Sequence, residues 1–584
     1  MKHLNSLLPT TLVLTILLSA CGSPPPSNEE PTAQDTSVKV ATTSADIITD
    51  GSAGSTQTYQ NIPQKMMPFE ERDMGDHMVF RMNAEPPHLN ILLDTAGGAA
   101  AEVAQPYIFE TLLDVHPETL EFIPYIGKSW EISDDHLTYT FKLREDVHFS
   151  DGVPLTAHDI KFTYDTTMKP DVEAFQRKSS YQDVESVTVI DDFTIQYKMK
   201  KPFFRHLLIL ALTEIYPKHI YEGAEDFNHH PNNRSPVGSG PYVFEKWDTG
   251  QQIVLARNEN YWGPKQAIKK RTWKIITDDN AGFQALERGD VDMNDIMPDD
   301  WNRKASTDEF EKKFNKYTPD SPIPGFFSRY NYIGWNMRKP QFEDPRVRKA
   351  LCMLFDRELI IETVWGGLGT VITGSVYHKA PEYNQETQPF PFDPIQAAKL
   401  LDEAGWKDTD GDGIRDKNGV KFEFELGFAS SVQEYERLGT VYQEELKRAG
   451  IDMRLGPLEW ATFSERVHNR NFDACMLAWL TPIMQDPYPL WHSSQAEQGV
   501  NYPGLKNDEV DETLDAIRLE FDREKRIKLY HKVQDLVHEE QPYLFLYARP
   551  GLLAFDKRIH GTVEHIGGFD PRDWWVPAHL QKYQ

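Results

Sequence analysis

The acidic stretch of residues 408–416 has the spacing of side chains best suited to binding a metal. Four carboxylates occupy positions 1, 3, 5 and 9 of a calcium-binding loop: Asp408, Asp410, Asp412 and Asp416. Gly413 fills the sixth position, where such a loop turns sharply, but Gly419 stands at the twelfth position, where glutamate is required. Asp-Gly pairs also form tight polar turns, and residues 420–426 alternate like a strand. The spacing therefore predicts either a structural calcium site or the entry to a polar hairpin.

The other polar side chains show no catalytic pattern. The 19 histidines are scattered, and the pair His229-His230 lies in a polar stretch. The sequence contains no nucleophile elbow, no phosphate-binding glycine loop and no His-Glu-x-x-His motif. We therefore expect a protein that is not an enzyme and has no cofactor besides the calcium considered above. A surface hydrolase is the less favoured alternative, since it would need a triad or a carboxylate pair.

The N-terminus has the composition of an export signal that ends at a cysteine. Lys2 supplies a positive start, residues 12–18 form a short apolar run, and Leu18-Ser19-Ala20-Cys21 follows directly. The apolar run is shorter than the roughly 20 residues that span a bilayer. These residues resemble the lipobox of bacterial lipoproteins, in which the signal is cut before an acylated cysteine. The alternative is an ordinary secretory signal with a chance cysteine.

The lipobox resemblance implies a removed signal peptide over residues 1–20 and a lipid on Cys21. The protein is then exported and anchored to a membrane, on its periplasmic or cell-surface face. Residues 21–68 are polar, rich in Ser, Thr and Gly, and lack hydrophobic periodicity. They are predicted to form a disordered tether with a reach of about 35–40 Å. Gly22 and Ser23 lack the aspartate associated with inner-membrane retention, which points to the outer membrane in a Gram-negative host.

Composition limits the partners and the number of domains. The net charge is −28, with no basic stripe, which argues against nucleic acid. The roughly 515 residues after the tether are too many for one core and predict two or three domains. Cys352 and Cys475 have apolar neighbours on both sides, which favours two buried free thiols, although export permits a disulfide between them. We expect a monomer.

Strand and helix patterns are mixed along the rest of the chain without a strict repeat, so the predicted fold class is α/β or α+β. Strands are predicted over residues 78–82, 138–143, 186–190, 194–199, 242–246, 252–257, 332–336 and 543–547. Helices are predicted over residues 281–289, 395–404, 434–448, 507–520 and 522–539, with another starting at Pro345. Thr156 is predicted to cap a helix whose third residue is Asp159.

Five segments of the chain, taken in order, resemble the family 5 extracellular solute-binding proteins. These are the oligopeptide, dipeptide and nickel receptors of ABC importers. The segments are residues 128–159, Gly238-Ser239-Gly240-Pro241-Tyr242, residues 257–263 (Arg-Asn-Glu-Asn-Tyr-Trp-Gly), residues 336–351 and Asp356-Arg357. The resemblance extends over roughly residues 78–560.

The resemblance implies a two-lobed clamshell of the periplasmic-binding-protein type, class II. Lobe I would comprise residues 69–331 with a subdomain at about 112–200, lobe II residues 332–545, and residues 546–584 would return to lobe I. Such proteins enclose a solute by hinge closure, present it to the permease subunits of an ABC importer and perform no chemistry.

The family also indicates where the ligand binds. In peptide-binding members an aspartate three residues after a tryptophan pairs with the peptide ammonium. Trp479 matches the tryptophan, but Pro482 stands at the aspartate position. Asp486 is the nearest substitute anion, and its alternative role is to cap the turn before Pro487. Trp479 would floor the pocket or pack in the core.

Two further segments are expected to border the pocket. Ala96, Gly97 and Gly98 would lie on the lobe I rim, where small residues let a ligand approach the backbone; the alternative is a plain flexible loop. Tyr181 or Phe175 would close the pocket from the subdomain. The expected ligand is an oligopeptide or another small solute. Because Pro482 replaces the aspartate, nickel, a metallophore or an oligosaccharide remain alternative ligands.

Overall fold

The computed structural model describes residues 73–105, 107–319, 327–482 and 484–583. The predicted signal peptide, Cys21 and the tether lie outside the described residues. No helix in the described ranges is long and apolar enough to cross a membrane.

Lobe I is built on a mixed sheet of seven strands within the described ranges. Its strands are β1 His77–Met82, β8 Tyr242–Asp248, β9 Gln252–Arg257, β10 Lys270–Ile275, β11 Met293–Asp295, β12 Phe314–Tyr317 and β21 Leu553–Asp556. Their order is β12-β21-β11-β1-β10-β9-β8. Its helices are α1 Gly97–Ala104, α5 Lys218–Tyr221, α6 Asp279–Arg288, α7 Pro298–Arg303 and α8 Asp308–Lys313. Strands β1, β10 and β11 are parallel, so their carboxyl ends meet at one edge.

A subdomain is inserted into lobe I. Its strands are β2 Leu113–Val115, β3 Phe122–Pro124, β4 Gly127–Ile132, β5 Thr138–Leu143, β6 Val184–Asp191 and β7 Thr194–Met199. Its helices are α2 Ala157–Thr167, α3 Phe175–Ser180 and α4 His206–Ala211. The order β4-β5-β7-β6 forms an antiparallel sheet with its own core, which extends to Ile215. The subdomain core therefore continues beyond the predicted limit near residue 200.

Lobe II contains a second mixed sheet, with six strands among the residues described. Its strands are β13 Phe327–Trp335, β14 Thr370–Val371, β17 Glu423–Ala429, β18 Asp452–Leu458, β19 Ala474–Pro482 and β20 Tyr543–Ala548, in the order β14-β20-β13-β19-β17-β18. Within the described residues three two-stranded hairpins lie apart from the main sheets: β2 with β3, β15 Asp416–Lys417 with β16 Val420–Lys421, and β22 Glu564–His565 with β23 Gly568–Phe569. The helices are α9 Pro345–Met353, α10 Arg357–Trp365, α11 Pro394–Glu403, α12 Gln433–Arg448, α13 Trp460–His468, α14 Tyr488–Trp491, α15 Asp508–Leu519 and α16 Arg523–Glu540.

The chain passes twice between the lobes. β12 belongs to the lobe I sheet and β13 to the lobe II sheet, and the return runs from β20 to β21. The Gly551 amide donates to the Pro319 carbonyl at 2.7 Å, which ties the two connections together. The predicted boundaries at residues 331 and 545 therefore fall inside lobe II strands. The chain leaves the lobe I sheet after residue 317 and enters the lobe II sheet at residue 327. It leaves the lobe II sheet after residue 548 and re-enters the lobe I sheet at residue 553.

Local signals in the sequence set several helix ends. Thr156 forms a capping box with Asp159, as predicted. Pro345 is the first residue of α9, and Asp344 caps that helix by accepting the Arg346 amide. Gly289 ends α6 in the left-handed conformation, with φ +75°. These ends depend on nearby residues only.

Three polar or reactive side chains are buried in lobe II: Arg348, Cys352 and Cys475. The Arg348 guanidinium is fully buried and donates to the carbonyls of Phe342, Glu343 and Glu540. Cys352 and Cys475 are both buried and free, which confirms the prediction of two free thiols. Cys352 lies on α9 and Cys475 on β19, in separate clusters of apolar side chains.

Candidate functional site

The cleft between the lobes lies where the carboxyl ends of parallel strands face each other. In lobe I these ends belong to β1, β10 and β11. In lobe II they belong to β17, β18 and β19, which run parallel to one another. Ligands of α/β sheets bind outside the carboxyl ends of the strands. The two connections join the lobes at this same edge, as a hinge requires.

The subdomain contacts lobe II across the cleft. The Phe204 amide donates to the Arg518 carbonyl at 3.0 Å. The Arg526 guanidinium lies 4.6 Å from the centre of the Phe204 ring, and His136 stacks on Phe521 with ring centres 3.5 Å apart. Lobe I and lobe II are therefore in contact through the subdomain.

Trp479 lies on β19, three residues before the carboxyl end of that strand, and is half-buried. Its indole nitrogen donates to the Tyr543 hydroxyl at 3.3 Å. Its ring lies nearly parallel to those of Tyr332 and Tyr502, with ring centres 6.4 and 6.1 Å away. These contacts place Trp479 in a row of aromatic side chains. Its role as the pocket floor stays a prediction.

Asp486 has its partners within the protein. One carboxylate oxygen accepts the Tyr488 amide at 3.1 Å, and the other accepts two bonds from Arg518 at 3.0 and 2.7 Å. The side chain is buried. Arg518 also lies over the Tyr488 ring, 3.7 Å from its centre. These contacts favour the alternative weighed above, in which Asp486 caps the turn before Pro487, and they add an ion pair with Arg518. Binding of a ligand ammonium by Asp486 stays a prediction.

The predicted rim residues form the start of a helix. Gly97 and Gly98 are exposed in the first turn of α1, and Gly97 has φ +72°. Ala96 is buried in the lobe I core, which corrects its predicted place on the rim. The preceding Asp94 accepts the Phe175 amide at 2.5 Å, which holds this turn against α3. Ligand contact by the two glycines stays a prediction.

Tyr181 is placed in the core of the subdomain. Its side chain is buried, its hydroxyl donates to Thr213 at 2.7 Å, and its ring packs edge-on against Tyr164 at 5.2 Å. The structure therefore corrects the prediction that Tyr181 closes the pocket. An aromatic residue between two strand patterns packs in a core as readily as it faces a ligand, so the sequence could not separate the two roles.

Two acidic side chains on the lobe I side of the cleft, Glu102 and Asp295, were not predicted from the sequence. Asp295 ends β11 at its carboxyl end, and its side chain is exposed. Glu102 on α1 accepts the Trp273 indole N–H at 3.0 Å. Loss of hydration raises the pKa of both carboxyl groups, and each lies near a further carboxylate.

Known proteins with similar sequences share this architecture. The family described as "Bacterial extracellular solute-binding proteins, family 5 Middle" matches residues 121–501. The chain belongs to this family. The solute-binding protein is 32% identical over 516 residues to the "Oligopeptide-binding protein AppA" of Bacillus subtilis (strain 168), covering 86% of the chain and 92% of AppA. It is 27% identical over 457 residues to the "Nickel-binding periplasmic protein" of Escherichia coli (strain K12), covering 76% and 83% of the two chains.

Solved structures show the same fold. The structure of Bacillus subtilis AppA in complex with a nonapeptide superposes with a TM-score of 0.69 at 30% identity, covering 87% of this solute-binding protein and all of AppA. The two-lobed α/β fold of the family therefore extends over the described body. This confirms the predicted fold class and family.

Glu102 should make the stability of this solute-binding protein depend on pH. Burial, aided by Asp295 and opposed by the Trp273 bond, raises the pKa of Glu102 from its ordinary 4.5 to about 8. Between these values the folded state binds more protons than the unfolded state, so the free energy of unfolding falls as pH rises. We expect Glu102→Gln to remove this loss. At pH 9 the variant should exceed the wild type by on the order of 2 kcal/mol, after allowance for partial exposure.

Thermal unfolding of both proteins at pH 5 and pH 9 measures this effect. Glu287→Gln, on the exposed face of α6, is the matched control and should follow the wild type at both values. Equal pH dependence in Glu102→Gln and the wild type would show that Glu102 ionises normally in the folded protein.

The acidic stretch of lobe II forms the polar hairpin that the sequence allowed. Asp416 begins β15, which pairs with β16. Carboxylate oxygens of Asp408, Asp410 and Asp416 lie within 4.8 Å of one another. Asp412 instead forms an ion pair with Lys421. Asp408 accepts two backbone amides of the turn, at 2.7 and 3.0 Å. The turn is thus held by hydrogen bonds of its own, and a structural calcium ion here stays a prediction.

Proposed function

We propose that this protein is the substrate-binding component of an ABC importer and that it captures peptides or peptide-like solutes between its lobes. The observation that carries the proposal is the similarity to AppA, which extends over nearly the full length of both chains and includes a structure with bound nonapeptide. The two-lobed fold and the contacts between subdomain and lobe II support enclosure of a solute. The partner would be the pair of permease subunits in the membrane.

A second candidate ligand is a nickel complex. Two observations favour it: the similarity to the nickel-binding periplasmic protein, and Pro482 at the position of the ammonium-binding aspartate. A peptide ligand then requires recognition by groups other than that aspartate. The two candidates predict different responses to metal and to peptide.

Thermal unfolding of the full chain in detergent distinguishes these ligands. Peptides of two to nine residues, free sugars, and nickel with and without chelators are compared. A ligand at about 100 times its dissociation constant adds roughly 2.7 kcal/mol of stability, a shift of a few degrees in a protein of this size. We expect a shift with peptides. A shift with nickel chelates alone, and none with peptides, would contradict the peptide proposal.

The lipid anchor is part of the same proposal and has its own test. The residues Leu18-Ser19-Ala20-Cys21 support acylation of Cys21. We expect Cys21→Ser to abolish incorporation of a labelled fatty acid and to move the protein out of the membrane fraction. The reason is that the acyl chains on Cys21 would supply the membrane affinity of the anchored protein. Ser23→Ala is the control and should keep both properties. Labelling that persists in Cys21→Ser would exclude this anchor.

A further inference from the structure

The subdomain touches lobe II at two places that lie outside the two connections between the lobes. The first place is an apolar patch, in which Val115 and Leu120 of the β2–β3 hairpin pack against Tyr377 and Ala380 of lobe II. Each of these four side chains is at most 4% exposed. Separation of the lobes would therefore expose apolar surface on both sides of the patch, which costs free energy.

The turn of this hairpin presents Leu120 to lobe II. Leu120 has φ +59°, in the left-handed region that a leucine rarely adopts, and such a conformation is kept only where the surrounding structure fixes it. The Leu120 amide donates to the His116 carbonyl at 2.9 Å, and the Gly567 amide donates to the Pro117 carbonyl at 3.1 Å. These bonds lie within lobe I, so the turn does not depend on lobe II for its shape.

The second place is a patch of aromatic and cationic side chains. Phe204 of the subdomain packs against the lobe II core, and the Arg526 guanidinium lies 4.6 Å from the centre of its ring. Arg518 lies 5.2 Å from the centre of the Phe203 ring and is held in place by its ion pair with Asp486. A cation contributes more to such a contact where water is excluded. This patch therefore adds a second attraction between the lobes.

Both patches consist of groups of the protein itself. Their contribution to closure is therefore the same for every solute that the cleft encloses. A closed form favoured in this way binds its solute more tightly and releases it more slowly. The two patches together are named the clasp, which comprises Val115, Leu120, Phe203 and Phe204 of lobe I with Tyr377, Ala380, Arg518 and Arg526 of lobe II.

We propose that the clasp is a latch that favours the closed form of the protein and slows the release of a bound solute. The inference goes beyond the proposed function, because it concerns the balance between open and closed forms and holds for any solute. The shape of the hairpin turn supports it, since Leu120 is held ready in lobe I and is covered by Tyr377 and Ala380 when the lobes meet.

Thiol labelling at position 380 measures how often the clasp opens. The full chain carrying Ala380→Cys is treated with N-ethylmaleimide in detergent, and the modified peptides are counted by mass spectrometry. A thiol buried in the clasp reacts only while the lobes are apart, so its rate of labelling follows the fraction of open protein. The buried thiols of Cys352 and Cys475 report unfolding of lobe II in the same sample.

The variant Leu120→Asn/Phe204→Ala, combined with Ala380→Cys, weakens both patches. Asparagine tolerates the left-handed conformation, so the turn is kept while the apolar contact is lost. We expect labelling of the introduced thiol to become faster by roughly tenfold or more, because the two original side chains bury apolar surface against lobe II only in the closed form. Labelling of Cys352 and Cys475 should not change.

The matched control is Leu359→Asn/Phe392→Ala in the same background. It makes the same two substitutions at lobe II side chains that are 51% and 40% exposed, and it should label like the background protein. Phe204→Ala alone is a second test, because Phe204 and Ala380 belong to different patches of the clasp. It should also accelerate labelling at position 380, since both patches separate when the lobes separate, and it decides the question if the double variant does not fold.

The outcomes separate the latch from the proposed function. Unchanged labelling in the clasp variants overturns the latch, and so does an acceleration that Cys352 and Cys475 share, because it reports unfolding. Release of a preloaded pool of random nine-residue peptides is the second readout. Faster release from Leu120→Asn/Phe204→Ala than from the control supports the latch, and equal release overturns it. Capture of no peptide by any of these proteins overturns the proposed function, and the labelling rates alone then decide the latch.

Discussion

Replacing Gly238 by alanine is expected to abolish stable folding of lobe I or to cost about 4 kcal/mol or more. A Cβ atom at this position would lie 1.9 Å from the Ile108 carbonyl oxygen and 2.7 Å from its carbon. The obstacle is backbone, which cannot rotate away as a side chain can. The same contact positions β8, because the Gly240 amide donates to that carbonyl at 2.9 Å. The substitution should therefore lower the stability of both lobe I and its subdomain.

Chemical denaturation of Gly238→Ala and of a matched control measures this loss. Gly427→Ala is suitable, because a Cβ there would meet the Phe463 ring at 3.4 Å and the Ala474 carbonyl oxygen at 3.7 Å, which are ordinary contact distances. It is expected to be neutral or to raise the free energy of unfolding by up to about 1 kcal/mol. Soluble yield and circular dichroism report the outcome if Gly238→Ala does not fold. A variant that melts with the wild type would show that the backbone shifts freely at this turn.

Replacing Arg558 by methionine is expected to have the second large effect, a loss of roughly 3–5 kcal/mol. The Arg558 guanidinium is buried and pairs with two buried carboxylates, Asp76 and Asp292. It also donates to the His77 carbonyl at 2.9 Å. Methionine fills a similar volume but leaves two carboxylates without this countercharge. Lys582, 3.2 Å from Asp292, offsets part of the loss.

The control for Arg558→Met is Arg466→Met. Arg466 pairs with Glu425 at 3.2 Å in an exposed position, so its replacement is expected to change the free energy of unfolding by less than about 1 kcal/mol. Denaturant unfolding of the wild type, Arg558→Met and Arg466→Met measures the free energy of unfolding of each protein. Similar values for the two variants would mean that the buried carboxylates find other partners, or water, once Arg558 is removed.

Several local features of this fold follow from short stretches of sequence. The Thr156 capping box, the start of α9 at Pro345 and the end of α6 at Gly289 each depend on neighbouring residues. The polar hairpin after Asp416 and the burial of both cysteine thiols also follow from their immediate neighbours. Family membership was predictable because its motifs are short and ordered.

Other predictions failed where packing between distant segments decides. Tyr181 and Ala96 are buried because strands and helices from elsewhere in lobe I cover them. The lobe boundaries moved because a strand belongs to the sheet that pairs with it, and β13 pairs with β19 and β20 far along the chain. Hydrophobic periodicity predicts which face of a helix or strand is buried, but it does not predict which other element covers that face.

The sequence by itself determined the family, the fold class, the local helix ends and the free state of the two buried thiols. Only the tertiary structure packed Leu120 against Tyr377, joined Arg558 to Asp76 and Asp292, and gave Asp486 its partner Arg518. Each of these pairings links residues that are far apart in the chain. Electrostatic and packing energies depend on the distance between side chains in space. From sequence alone that distance can be inferred only for residues within one helical turn or one hairpin.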